Sequence, residues 1–240
     1  MNRIVRMVLL NILRVPGLWS RLCRYAKYTE EYPEQEKWDH IQKILRHAVK
    51  SGNLDLVVTG LENLPEQDGF MLYGNHQGMF DVVAIGATCH RPMGCVLKKE
   101  LANVPFLKQV IQCTKSFPMD REDVRQSLTV IHSVIEEVKQ GRNYLIFPEG
   151  TRSRQGNTMG EFHGGSFRCA VKAKCPIVPI AFVDSFKVLD QKGSKRLTVQ
   201  IHYLPAIAYE EFAGKNATEV AAMVKDRIQA KIDECLANNE

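Results

Sequence analysis

From residue 54 onward, short apolar runs bounded by turn residues alternate with longer stretches of helical periodicity. That alternation confines the chain to an α/β architecture, because each strand needs a sheet neighbour and each amphipathic stretch needs a sheet face to cover. The runs "GFMLYGN", "NYLIFPEG" and "CPIVPIAFVD" are apolar between their ends, as strands covered on both faces are, and the second stops at Pro148. "LDLVVTGLENLP" reads as a strand and turn, and "PMGCVLKKEL" holds a short strand. "RLTVQIHYLPAI" alternates Leu197, Val199, Ile201 and Tyr203 with polar neighbours, which predicts a half-buried strand near an edge. "FDVVAIGATC" begins a helix. A clearer one runs through "REDVRQSLTVIHSVIEEVKQG", with Val124, Leu128, Ile131, Ile135 and Val138 at 3–4 spacing and Gly141 closing it. Asn216 and Glu219 are placed as a capping box for a last helix from Thr218. Residues 53–240 are therefore expected to form an α/β domain with a mixed, largely parallel sheet flanked by helices.

The first 52 residues differ in texture. Arg3, Arg6, Arg14, Arg21, Arg24 and Lys27 precede the first carboxylate, Glu30, while the whole chain carries a formal net charge of +5. The remainder is thus near neutral, and the local basic block points to an anionic partner for the N-terminus, not to a uniformly cationic protein; no nucleic-acid partner is expected. Taken as a helix kinked near Pro16-Gly17, residues 3–28 put Arg3, Arg14 and Arg21 within roughly 20° of one another at about 100° per residue. Arg6 and Arg24 share a neighbouring direction, and Ile4, Val5, Val8, Ile12, Val15, Trp19 and Leu22 fall opposite. Such a helix suits a membrane interface, or alternatively docks on its own domain with a solvated basic face. "IVRMVLLNIL" is too short to span a bilayer, which takes about 20 apolar residues. A second helix starts near Pro33 and buries Trp38, Ile41, Ile44, Leu45 and Ala48, with His40 and His47 at the surface. The expectation for residues 1–52 is an amphipathic helical hairpin that docks on membranes.

Seven cysteines, at 23, 89, 95, 113, 169, 175 and 235, make an odd count with no C-x-x-C pair. That pattern argues against framework disulfides and cysteine-held zinc, and for a reducing compartment.

Three segments carry candidate chemistry. "LYGNHQGMFDVV" places His76 and Asp81 five residues apart. On a continuous helix that separation is about 140°, so the two side chains meet only if His76 sits in a turn and Asp81 in the first helical turn beyond it. Gly78 makes such a turn inexpensive. The pair would then orient an imidazole as a base, against the alternative of a packed, satisfied histidine. "LIFPEGTRSR" ends a buried strand with Glu149, Gly150, Thr151, Arg152 and Arg154, where open α/β sheets gather ligands. Its arginines suit phosphate, or are merely solvated. In "KSFPMDRED", Asp120 is placed to cap the next helix, and Arg121 is either a phosphate ligand or an exposed helix-start arginine.

Together these segments resemble the glycerolipid acyltransferase family, in particular the 1-acylglycerol-3-phosphate acyltransferases. "NHQGMFD" matches the family's NHxxxxD block and "FPEGTRSR" its third block. "FPMDR", "CPIVPIAF" and "EFHGGSFRCA" are similar to further family segments, so the resemblance covers roughly residues 54–207. Position 78 is Gly where Ser is frequent, and Lys115, Phe117 and Pro118 depart from the usual second block. The resemblance implies transfer of a fatty acyl group from acyl-coenzyme A or acyl-acyl carrier protein to the free hydroxyl of 1-acylglycerol-3-phosphate, giving phosphatidic acid. By the same resemblance, His76 and Asp81 form the catalytic pair. Asn75, Lys98, Arg121, Glu149, Gly150, Thr151 and Arg152 bind substrate, with Lys98 or amides near Gly78 or Gly150 as candidate oxyanion donors. No bound cofactor or metal is implied. The partners are the lysophospholipid, the thioester and an anionic membrane, with the protein peripheral on the cytoplasmic face. Arg3, Arg6, Arg14, Trp19, Arg21 and Arg24 are the membrane residues in this reading. Another lysolipid acceptor, or a catalytically silent membrane-binding module, stands as the alternative. A serine hydrolase would need G-x-S-x-G, and "GGSFR" lacks the closing glycine.

Overall fold

A computed structural model describes residues 2–190 and 193–238; residues 191–192 and 239–240 of the expected 53–240 domain lie outside that range. Three helices open the chain, α1 (Arg3–Asn11), α2 (Val15–Lys27) and α3 (Glu34–Ser51). There follow β1 (Leu54–Thr59), β2 (Met71–Gly74), α4 (Phe80–Thr88), β3 (Met93–Lys98), α5 (Leu107–Thr114), β4 (Phe117–Met119), α6 (Val124–Lys139) and β5 (Asn143–Ile146). The rest is α7 (Gly164–Ala173), β6 (Ile177–Val183), α8 (Lys187–Asp190), β7 (Leu197–Tyr203), α9 (Tyr209–Phe212) and α10 (Ala217–Ala237).

The seven strands make one sheet in the order β1-β7-β6-β2-β5-β3-β4. Strands β6, β2, β5, β3 and β4 run parallel, whereas β7 is antiparallel to β6 and β1 follows β7. The mixed, largely parallel sheet is as expected. Strand β7 lies one place in from the edge, which accounts for its half-polar pattern.

The apolar runs are explained by the two faces of the sheet. Met71, Tyr73, Tyr144, Ile146 and Ile177 pack into one core with residues of α6, α7 and α10. Leu72, Leu145, Val178, Ile180 and Phe182 pack into a second core with Trp38 of α3 and Phe80, Ala84 and Ile85 of α4. Successive strand residues point to opposite faces, so covering both faces requires an apolar residue at every position.

Several local expectations are corrected. The first helix is not one kinked rod: it breaks at residues 12–14, and Pro16 sits in the first turn of α2, where its missing N–H costs nothing. The buried face of α6 is Val130, Val134, Ile135 and Val138, while Val124 is 71% and Leu128 40% exposed. The three-residue edge strand β4 is too short to cover the first turns of so long a helix. His40 is buried with a ring nitrogen 2.9 Å from the Leu18 carbonyl, rather than at the surface. Burial there lowers its pKa.

The N-terminal arginines divide. Arg3, expected on the membrane side, is buried and donates to the backbone carbonyls of Gly52, Val188 and Lys195. Arg6 donates to Ser51 O, and Arg21 to the Tyr25 hydroxyl and Glu36. Arg14 and Arg24 are exposed. Leu22 is also internal, in a small core with Tyr25, Ala26, Ile41 and Cys113 that ties α2 and α3 to α5. The remaining face of α1 and α2 is open: Val8, Leu9, Ile12 and Val15 are about half exposed, Trp19 is 38% and Leu13 94% exposed.

Candidate active site

Parallel strands β2, β5, β3 and β4 end on one edge, and each candidate segment begins there. His76 lies two residues beyond β2, the central strand, and Glu149 three residues beyond its neighbour β5. Lys98 ends β3, and Arg121 lies two residues beyond β4.

The turn after β2 brings the separated pair together. His76 Nδ1 is 2.8 Å from Asp81 Oδ2, with Asp81 in the first turn of α4. Oδ2 also accepts the backbone N–H groups of Gln77 (2.8 Å) and Gly78 (3.0 Å). The other oxygen, Oδ1, accepts the hydroxyl of Ser185. Asp81 has no exposed surface, whereas the His76 side chain is 17% exposed. A carboxylate only accepts, so Nδ1 carries the hydrogen, and the tautomer of the neutral ring that this selects has its lone pair on Nε2. Among the described residues no hydrogen bond engages Nε2. The imidazole stacks on Phe147 at 4.2 Å and 20°, which holds the ring plane. Gly78 is not in a left-handed conformation; its missing side chain instead admits Phe186, whose Cα would lie 3.3 Å from a Cβ.

Glu149 braces this turn. Its Oε1 accepts His76 N–H at 2.7 Å and its Oε2 accepts Gly160 N–H at 2.8 Å. Burial raises the Glu149 pKa, and those two amides pull it partly back. Ser153 N–H donates to the His76 carbonyl at 2.9 Å, a second strap between the loops. Gly150 adopts φ 68°, the left-handed conformation that lets the chain reverse after Glu149.

Two of the expected substrate residues are buried, with their polar atoms bonded to the protein's own backbone. Glu149 is buried with both oxygens committed to backbone amides. Asn75 is also buried, its amide exchanging hydrogen bonds with the N–H and C=O of Phe182 and so pinning the turn to β6. Both shape the site from beneath. The candidate oxyanion amides are likewise engaged, Gly78 N–H with Asp81 and Gly150 N–H with Phe147 O. Lys98 is exposed and 3.2 Å from Glu100, while Arg121 and Thr151 are exposed and Arg152 partly so. Asp120 does not cap α6; Asp123 does, accepting from Arg125 and Gln126 N–H, and Asp120 pairs with Lys99. The motifs did not point to Phe147 as a stacking plate, Ser153, Gln77 or Ser185. Ser185 follows "CPIVPIAFVD" and reaches Asp81 from 104 positions away, so no local pattern marks it. Among the described residues no three His, Cys, Asp or Glu side chains converge as a metal site.

The family model described as Acyltransferase matches residues 55–183, a little over half of the chain. The chain belongs to the acyltransferase family. Its relatives include the 1-acyl-sn-glycerol-3-phosphate acyltransferase of Borreliella burgdorferi, 27% identical over 75% of this chain and 72% of that protein. The Saccharomyces cerevisiae protein of the same name is 29% identical over 79% of this chain and 61% of its own length. The Escherichia coli one is 29% identical over 70% and 69%. The crystal structure of the 1-acyl-sn-glycerophosphate acyltransferase from Thermotoga maritima superposes with a TM-score of 0.79 and 20% identity, covering 98% of both chains. That likeness establishes the fold of this acyltransferase from its N-terminal helices to α10.

Proposed function

We propose that this acyltransferase moves a fatty acyl group from an acyl thioester to the free hydroxyl of 1-acylglycerol-3-phosphate, giving phosphatidic acid. The observation that carries the mechanism is the 2.8 Å contact of His76 Nδ1 with the buried Asp81, which leaves Nε2 without a hydrogen-bond partner among the described residues on a ring that is partly exposed. Nε2 takes the proton of the acceptor hydroxyl as its oxygen attacks the thioester carbonyl. The tetrahedral intermediate collapses with cleavage of the C–S bond, and the departing thiolate takes the proton back from the imidazolium. The thioester is already activated, so no side-chain nucleophile is required. Asp81 orients the ring and balances the imidazolium charge. General-base help of this kind is worth about 10²–10⁴ in rate.

Arg121 and Arg152, on loops from the same sheet edge, supply positive charge for the acceptor phosphate, with Gly150, Thr151 and Lys98 near it. The names of the relatives support this acceptor over another lysolipid. The donor is acyl-coenzyme A or acyl-acyl carrier protein. The open apolar face of α1 and α2, with Arg14 and Arg24 at its border, supports peripheral docking on an anionic bilayer at the cytoplasmic face. Among the described residues no helix is long and apolar enough to cross a membrane. Arg3 ties α1 to Val188, three residues past Ser185, so the docking helices are joined to the loop that reaches Asp81. The deciding assay crosses both donors with several lysolipids, for wild type and His76→Ala. Phosphatidic acid formation by wild type alone is expected; equal turnover by both proteins would refute the mechanism.

A further inference from the structure

Asp81 is wholly buried, yet only one of its oxygens is served by its own turn. Oδ2 collects His76, Gln77 N–H and Gly78 N–H, whereas Oδ1 depends on a side chain 104 positions away, the hydroxyl of Ser185. Ser185 is itself fully buried, just past the end of β6. A buried hydroxyl in this position needs an acceptor, and a buried carboxylate oxygen needs a donor; each meets the other's requirement.

The backbone is bent to make that contact. Asp184, the residue before, has φ 65°, a left-handed conformation that is unfavourable for a residue with a Cβ and persists only where its surroundings enforce it. They do so here through a chain of amides. Asn157 Oδ1 accepts Asp184 N–H at 2.9 Å, and Asn157 Nδ2 donates to Asp184 Oδ1 at 3.0 Å. Gln77 Oε1 accepts Ser185 N–H at 2.9 Å, and its Nε2 donates to Phe182 O (2.8 Å) and to Asn157 Oδ1 (2.9 Å). Gln77 directly follows His76, so the turn bearing the imidazole and the turn bearing the hydroxyl are held by one side chain. Packing alone would not call for an aspartate in a left-handed conformation and two interlocked amides that together hold the one serine whose hydroxyl reaches Asp81 Oδ1.

We propose that Ser185 is a positioning residue for acyl transfer: its hydroxyl holds Asp81 Oδ1, so that Oδ2 stays on His76 Nδ1 and the ring presents Nε2 to the acceptor hydroxyl. The inference rests on the general-base reading of His76 given above. Without the hydroxyl, Oδ1 is left buried with no donor, and the carboxylate turns to find one at the expense of the His76 contact. A base displaced by a fraction of an ångström loses rate without losing substrate.

The experiment measures kcat and KM for both substrates, melting temperature, and the downfield proton resonance of the His76 Nδ1–H, in wild type, His76→Ala, Ser185→Ala and Asn157→Ala. Ser185→Ala is expected to lower kcat about 10–100-fold with both KM values within about twofold, and to shift the Nδ1–H resonance. Asn157→Ala, which releases the Asp184 turn and removes one of the two acceptors of Gln77 Nε2, should do the same to a smaller degree, and it decides the matter if Ser185→Ala does not fold. A folded Ser185→Ala enzyme with unchanged kcat overturns the proposal. So does one with an unmoved Nδ1–H resonance, which leaves Ser185 a packing residue. Inactive His76→Ala beside fully active Ser185→Ala would defeat the positioning role alone, whereas fully active His76→Ala would defeat the general-base reading beneath it.

Discussion

The carboxylate of Glu149 receives the backbone N–H of His76 at 2.7 Å, so the loop after β5 carries the turn after β2. The second Glu149 oxygen holds Gly160, which closes the same loop on itself. The acid of the "FPEGTR" segment is in this way a structural brace for the turn that bears His76, and its burial has consequences that can be measured.

Replacing Glu149 by Gln keeps one oxygen and substitutes an amide nitrogen that cannot accept. One buried N–H then loses its partner, at a cost of about 1–3 kcal/mol. Glu149→Gln should melt lower and lose activity together. The pH dependence has a definite sign. Burial raises the Glu149 pKa, so the folded state holds this proton more tightly than the unfolded chain does. Its contribution to stability is fully present below the ordinary glutamate value of about 4.3 and is lost as pH rises through the folded value. The melting-temperature difference between wild type and Glu149→Gln should accordingly be more favourable to wild type at pH 4 than at pH 7. A difference independent of pH would mean that Glu149 is not held in this way.

A methyl group at position 160 would lie 2.7 Å from Glu149 Oε2. Glu149 is pinned by two amides, so it can yield only by releasing one of them. Gly160→Ala should therefore reduce turnover severalfold. Gly165→Ala, where an added Cβ meets nothing within 4 Å on helix α7, should leave turnover intact and the melting temperature equal or slightly higher. Equal activities in the two variants would contradict the brace.

Removing the imidazole should cost more than disturbing its supports. His76→Ala is expected to lower kcat by about 10²–10⁴ while leaving the melting temperature and vesicle binding near wild type, because the ring is partly exposed and lies over Phe147 rather than within the core. Asp81→Asn should be both slow and less stable, since a fully buried carboxylate with four donors is replaced by an amide that must present hydrogens to some of them.

The N-terminal arginines should separate into two behaviours. Arg3→Ala orphans three backbone carbonyls, two of them in buried contacts, and should destabilise by about 2 kcal/mol. For a chain of this size that corresponds to a fall in melting temperature of roughly 4–8 °C. Leu13→Glu and Arg14→Glu alter exposed positions and should leave melting unchanged while weakening co-sedimentation with anionic vesicles. If Arg3→Ala changed vesicle binding and not stability, its buried placement would be wrong.

The sheet was legible because burial on both faces leaves a simple trace, unbroken apolar runs at 71–74, 144–146 and 177–183. The capping box of α10 was legible because Asn216 and Glu219 act within one turn. The His76–Asp81 contact was legible because five residues and one turn suffice to close it. Periodicity in α1 and α2 marked an apolar and a basic face correctly in outline. It could not tell that Arg3 faces inward to three carbonyls, since a buried, fully bonded guanidinium and a solvated one occupy the same position on a helical wheel.

By itself the sequence determined the α/β class, the position of the His76–Asp81 pair, and the charge asymmetry of the first 29 residues, which follow from contacts within a few residues, from periodic burial, or from composition alone. Only the tertiary structure decided what each polar side chain serves. Asn75 and Glu149 proved to be braces, Asp123 rather than Asp120 the helix cap, and Ser185 the partner of Asp81. The reason is that a buried donor or acceptor must be satisfied by whatever the fold brings beside it, and that neighbour can lie a hundred residues away.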